Sequence, residues 1–228
     1  MNISPYEQLV IEKVSYIKSS ISRKADRDVT LIAVTKGFGQ EAVKAADKAG
    51  ITDLGENYAQ EIQTKSQGYR GSFLWHFIGQ LQTNKVRKIC GVVGMWHSVT
   101  SLKLAGEIAK RSPGAPVLIQ VNSGGPANQM GVSEHDLPAM VESIRNLDLH
   151  VRGLMTMGIA GDPDGTRSVF SKLRELADDL ELEDCSMGMS SDWQQALQAG
   201  ATWLRLGSSL FGELVNHVNS HTDITKSS

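Results

Sequence analysis

The chain has 228 residues, 40% of them hydrophobic and 21% charged, which is enough for one sizeable buried core and short for two domains. A formal charge of −2 gives no electrostatic basis for nucleic acid or an anionic membrane surface as partner. No apolar run approaches the roughly 20 residues that span a bilayer, and no basic start leads into an apolar leader, so a cytoplasmic protein is expected.

Ser4-Pro5-Tyr6-Glu7 combines an N-cap serine, a proline at the first helical position and a glutamate placed to close a capping box, which predicts a helix over about 5–22. Leu9, Val10, Val14, Ile17 and Ile21 recur at helical spacing and give that helix one apolar face. After a polar break at 23–28, apolar runs alternate with segments of helical pattern. The runs cover 31–35, 51–54, 73–78, 92–99, 117–121, 151–157, 185–189 and 203–206. Such alternation implies parallel strands joined by crossover helices, hence an α/β fold: a single (β/α)8 TIM-type barrel with an extra N-terminal helix, against an open doubly wound sheet as the competing arrangement. Gly161-Asp162-Pro163-Asp164-Gly165 reads as a polar turn before a helix. Cys90 and Cys185 stand in no ligand spacing and are expected as packed thiols. In the polar tail at 216–228, His217 and His221 fit a frayed helix end better than a metal pair.

In a barrel, chemistry gathers at the C-terminal ends of the strands. The first strand delivers Lys36 to that end. On this segment alone Lys36 is either a solvated loop lysine or an amine that desolvation or a neighbouring cation prepares to attack an aldehyde. Asn57 and Tyr58 follow the second run, and His76 closes the third. Ser190, Arg205, Gly207 and Ser208 fall at the last two strand–helix junctions, where barrels commonly bind phosphate through backbone N–H groups and hydroxyls. Ser190, Ser191 and Asp192 serve equally well as caps of the following helix.

Several blocks, in order, give a more specific signal. Val34-Thr35-Lys36, Gly55-Glu56-Asn57-Tyr58-Ala59-Gln60-Glu61, the run at 75–85, His97-Ser98-Val99, the run at 186–192 and Arg205-Leu206-Gly207 resemble the signature blocks of the pyridoxal phosphate homeostasis protein family. That family is similar to the barrel domain of fold-type III pyridoxal 5′-phosphate (PLP) enzymes such as alanine racemase, without their second domain. The resemblance implies PLP as cofactor and Lys36 as its Schiff-base lysine. It also implies Arg205 opposite the pyridine nitrogen, Ser190, Gly207 and Ser208 on the phosphate, and Asn57 and His76 lining the ring pocket.

An arginine facing that nitrogen is donor-only and always charged, so it leaves the nitrogen unprotonated and weakens the ring as an electron sink. A racemase also needs an opposing acid/base, which the absent domain supplies in the enzymes. The expected role is therefore binding, buffering or transfer of PLP by a monomer, with PLP-dependent apo-enzymes as recipients and amino-acid metabolism as the process affected. A racemase-like enzyme using Lys36 as base is the alternative, and a class I aldolase-like barrel the third reading. The chain departs from the family pattern at Pro126 and Gln129, where the resemblance leads one to expect glutamate and lysine, and at Leu54 in place of phenylalanine.

Overall fold

A computed structural model describes residues 3–69, 71–122 and 130–212. Pro126, Gln129, His217 and His221 lie outside the described residues. The strands are β1 (Thr30–Val34), β2 (Asp53–Glu56), β3 (Leu74–Phe77), β4 (Val93–Val99), β5 (Pro116–Gln120), β6 (His150–Met155), β7 (Asp184–Ser186) and β8 (Trp203–Leu206). The helices are α1 (Pro5–Lys24), α2 (Gln40–Lys48), α3 (Ala59–Gly68), α4 (Val86–Ile89), α5 (Leu102–Arg111), α6 (Leu137–Arg145), α7 (Pro163–Asp179), α8 (Trp193–Gln198) and α9 (Ser208–Phe211), with a 3-10 turn at Thr83–Lys85.

The eight strands close into a barrel in sequence order, every pair parallel. Closure is carried by β1 against β8, with Thr30 opposite Trp203 and Ala33 opposite Leu206. An open doubly wound sheet has no such pairing. Alternation sorts the side chains into two layers. Ile32, Val34, Ile78, Met95, Leu118 and Met155 form a small inner cluster joined by Met157 and Trp203. Leu31, Ala33, Leu54, Phe77, Ile119, Leu154 and Leu206 face outward into the larger core beneath the helices.

Ser4 forms the expected capping box with Glu7, and the helix it starts runs to Lys24. Its Val10, Val14 and Ile17 are buried, and the helix packs on α2 and α9, so the apolar face is spent against neighbouring helices. Asp162 caps α7 by accepting the Gly165 N–H at 2.9 Å, which accounts for the polar turn before it.

Two strands differ from expectation. The second was placed at 51–54 and lies at Asp53–Glu56. Ile51 instead closes the turn after α2, its N–H bonded to the Ala46 carbonyl. The seventh was placed at 185–189 and ends at Ser186, because Gly188 takes a left-handed φ of +89° that no continuing strand adopts.

Candidate functional site

Lys36 occupies a tight turn just beyond β1. Phe38 N–H bonds the Thr35 carbonyl at 3.0 Å, and Gly37 has φ +74°, the pattern of a type II turn with Lys36 and glycine at its centre. Lys36 is exposed, and no hydrogen-bond or ion-pair partner holds its side chain among the described residues. It lies two residues beyond Val34, the last inward-facing side chain of β1.

The turn is fastened from the helix side. Lys65, on α3, reaches the Thr35 carbonyl at 2.6 Å, Glu56 Oε1 at 2.6 Å and Glu61 Oε2 at 2.7 Å. Glu61 also accepts the Gly37 N–H at 3.0 Å, and Thr35 Oγ1 donates to Glu56 at 2.5 Å. Glu56 is wholly buried, and that burial pushes its carboxyl above the ordinary glutamate value against the pull of Lys65 and Thr35.

Beside β1 in the closed barrel, the β7 and β8 junctions gather donors. Ser190 does not cap the helix that follows it; Asp192 occupies that position and accepts the Met189 N–H at 2.5 Å. The Ser190 hydroxyl turns to the next junction, where its oxygen accepts N–H bonds from Gly207 at 3.4 Å and Ser209 at 3.1 Å. Ser209 Oγ is buried with no hydrogen-bond partner, and Ser208 is exposed at the first position of α9. A β-carbon on Gly207 would lie 3.0 Å from the Val34 carbonyl, so this junction touches β1 two residues before Lys36.

Arg205 is buried, with its guanidinium donating to Ser186 Oγ at 2.6 Å and to the Thr156 carbonyl at 2.8 Å. Burial lowers its pKa to about 10, with the Asp192 charge opposing, so it stays cationic at neutral pH. From Ser186 a chain of contacts crosses the interior: Ser186 to His97 Nδ1 at 2.8 Å, His97 Nε2 to His76 Nδ1 at 2.8 Å, and His76 Nε2 to Asp53 at 2.9 Å. Burial depresses the pKa of both imidazoles, well below the usual range for His97, where His76 and Arg205 add to the effect. For Asp53 burial opposes ionisation, but hydrogen bonds from His76 and Thr52 prevail and hold the carboxyl low. With both rings neutral, one assignment of protons satisfies every link: each group donates toward Asp53, beginning from Arg205.

His76, expected to line a ring pocket, thus sits within the barrel with both ring nitrogens engaged. Asn57 stands half-buried at the rim, in the wall of a cavity of about 860 Å³ that Tyr58, Gln60, Gln82, Lys85 and Lys88 also line. Gly79 is pressed against the Asn57 backbone, where a β-carbon would collide with its carbonyl. Cys185 is buried and its thiol is pushed up to about 12 by that burial, and Cys90 is a free, half-buried thiol. No cluster of metal-ligating side chains occurs among the described residues, and no described helix is long and apolar enough to cross a membrane.

Residues 17–215 match the family model of the alanine racemase N-terminal domain. The pyridoxal phosphate homeostasis protein of Pseudomonas aeruginosa is 41% identical over 217 residues, spanning 89% of this chain and 93% of that one. This chain belongs to the pyridoxal phosphate homeostasis protein family. The family's Aquifex aeolicus member is 36% identical over 221 residues, spanning 89% of this chain and 97% of its own. PipY of Synechococcus elongatus superposes with a TM-score of 0.81 at 33% identity, over 89% of this chain and 100% of PipY. A further PipY structure has PLP bound, with a TM-score of 0.79 at 31% identity over the same shares. Alanine racemase of Clostridium difficile shares the fold, with a TM-score of 0.72 at 14% identity over 87% of this chain and 56% of the longer enzyme.

The sequence marks Lys36, Asn57, His76, Ser190, Arg205, Gly207 and Ser208 as candidate site residues but does not single out Asp53, Glu61, Lys65, His97, Ser186 and Ser209. Strand alternation held part of the missing signal. Asp53, His76, His97, Ser186 and Arg205 are the polar members of inward-facing series in β2, β3, β4, β7 and β8.

Proposed function

We propose that this chain binds pyridoxal 5′-phosphate reversibly through Lys36 and serves in the homeostasis of that cofactor rather than in its catalytic use. The observation that carries the proposal is the contact of Gly207 with the Val34 carbonyl, which brings the Ser190, Gly207 and Ser209 cluster against the strand that leads into the Lys36 turn. The buried Ser209 hydroxyl without a partner, beside the Gly207 and Ser209 N–H groups that now share the Ser190 oxygen as acceptor, fits a phosphate, which accepts hydrogen bonds and donates few. Bound PLP would supply an aldehyde for capture and an electron-withdrawing ring.

Lys36, in its neutral form, would supply the amine that captures the aldehyde with loss of water, a linkage that water reverses. Ser190, Gly207, Ser208 and Ser209 would hold the phosphate. Arg205, kept in place by Ser186 and the Thr156 carbonyl, would face the pyridine nitrogen as a fixed cation. Its permanent charge leaves that nitrogen without a proton and handicaps carbanion chemistry. Asn57 lines the ring pocket from the rim. His76 contributes at one remove, through the chain that ends on Arg205, and is not free to act as the acid/base of a racemase. The chain acts as a single-domain monomer in the cytoplasm and passes PLP to apo-enzymes. Among the described residues its exposed large apolar side chains are scattered, with Tyr16 on α1, Leu74 on β3, Leu102 on α5, and Ile3, Tyr58 and Met130 outside the helices and strands.

Two measurements test this. Titration of the purified protein with PLP is expected to develop a visible absorption band that the Lys36→Ala variant lacks. Exchange of the α-proton of alanine in deuterated water is expected to run no faster than with free PLP; turnover well above that level would favour the racemase-like alternative.

A further inference from the structure

Resting on the reading of Lys36 as the covalent lysine, we infer that Glu56, Glu61 and Lys65 form a brace that positions the Lys36 turn and sets how long the cofactor stays bound. An ammonium has three donors, and each of Lys65's is assigned: one to Glu56, one to Glu61 and one to the Thr35 carbonyl. Glu61 then receives the Gly37 N–H. The peptide groups on either side of Lys36 are therefore both held by charged side chains of one β2–α3 unit, while the Lys36 side chain itself carries no such contact among the described residues.

Stability alone gives a poor account of this arrangement. Lys65 is 5% exposed and Glu56 0%, and a buried ion pair is often no better than apolar side chains of the same size. Glu56 Oε2 is left buried without a partner, a further cost. What an apolar substitute could not do is hold a carbonyl and an N–H two residues apart. Type II turns gain one backbone hydrogen bond, and this one is fixed by two more, each charge-assisted and therefore strong. Lys65 follows Glu61 by one helical turn, so a single face of α3 presents both groups.

The brace makes Glu56, Glu61 and Lys65 positioning residues: none needs to touch PLP. The test uses the full-length, PLP-loaded protein and reads two quantities, the rate of PLP release into a large volume and the pH midpoint of the bound cofactor's visible band. Glu61→Ala removes the acceptor for Gly37 from a side chain that is 29% exposed, so the fold should persist. Release is expected to accelerate about tenfold, the size of one lost charge-assisted hydrogen bond, with a shifted pH midpoint. Glu61→Gln keeps an acceptor for Gly37 and should return release to within about threefold of the parent. The double variant Glu56→Gln/Lys65→Met removes the charges in pairs and should resemble Glu61→Ala. Parental release and an unchanged pH midpoint in Glu61→Ala and in the double variant, with borohydride still fixing PLP on Lys36, would overturn the brace and leave the PLP reading intact. So would failure of Glu61→Gln to restore slow release. Absence of any Lys36 adduct in the parent protein would remove the PLP reading and the brace together.

Discussion

Two buried polar networks flank the site, one inside the barrel and one outside its wall, and they use opposite chemistry. The inner network runs from Arg205 through Ser186, His97 and His76 to Asp53, with a full charge only at each end. The outer network packs two carboxylates and one ammonium between β2 and α3. Neutral imidazoles can each donate and accept, so the inner chain transmits orientation over a long path without a buried charge at every step. The outer brace acts at short range and uses full charges to hold backbone. Orientation of a buried guanidinium calls for the first device and restraint of an exposed turn for the second.

This contrast is most severely tested by breaking the outer network on one side. Glu56→Ala leaves the Lys65 ammonium buried with only one carboxylate, and should destabilise the protein by about 3–5 kcal/mol in chemical denaturation. A loss below about 1 kcal/mol would mean that the pair is solvated in practice. His97→Leu interrupts the inner chain and leaves the Ser186 hydroxyl proton and His76 Nδ1 each unpaired, an expected loss of about 2–4 kcal/mol.

The networks should also differ in their response to acid. The folded-state pKa values of His76 and His97 lie below the ordinary 6.5, so the unfolded chain takes up protons that the folded one refuses. Their contribution is complete above pH 6.5 and declines as pH falls below it, by up to about 1.4 kcal/mol per pH unit for each histidine. Glu56, raised above its ordinary 4.5, works in the opposite sense, so a His97→Gln variant is the proper reference. Its melting temperature should depend less on pH between about 6.5 and 5 than the parent's; equal slopes would show that the imidazoles titrate as if exposed. The smallest effect is expected at the turn. Gly37→Ala meets open space but must hold φ near +74°, which costs about 1 kcal/mol.

The barrel was legible because its evidence is periodic: eight apolar runs separated by helical patterns predict parallel strands, and their number allows the closure that the β1–β8 pairing completes. The first helix was legible from its cap alone. The error in the second strand has a clear origin. Ile51 looks like strand because it is apolar, and Glu56 looks like loop because a lone glutamate is rarely buried. Only the lysine nine residues later makes its burial tolerable, and that contact is made by tertiary packing. His76 illustrates the same limit. Its position at the end of an apolar run was visible, whereas its depth depends on Asp53 and His97 from neighbouring strands. Lys36 itself was assigned through the resemblance of the surrounding blocks, since an exposed lysine in a turn carries little signal.

The central claim is that Lys36 is the residue that captures PLP. The most direct measurement is borohydride reduction of the PLP-loaded protein followed by proteolysis and mass spectrometry of the peptides. A phosphopyridoxyl group on the peptide containing Lys36, and on no other, is the predicted result. An adduct on another lysine, or none from a protein saturated with PLP, would contradict it.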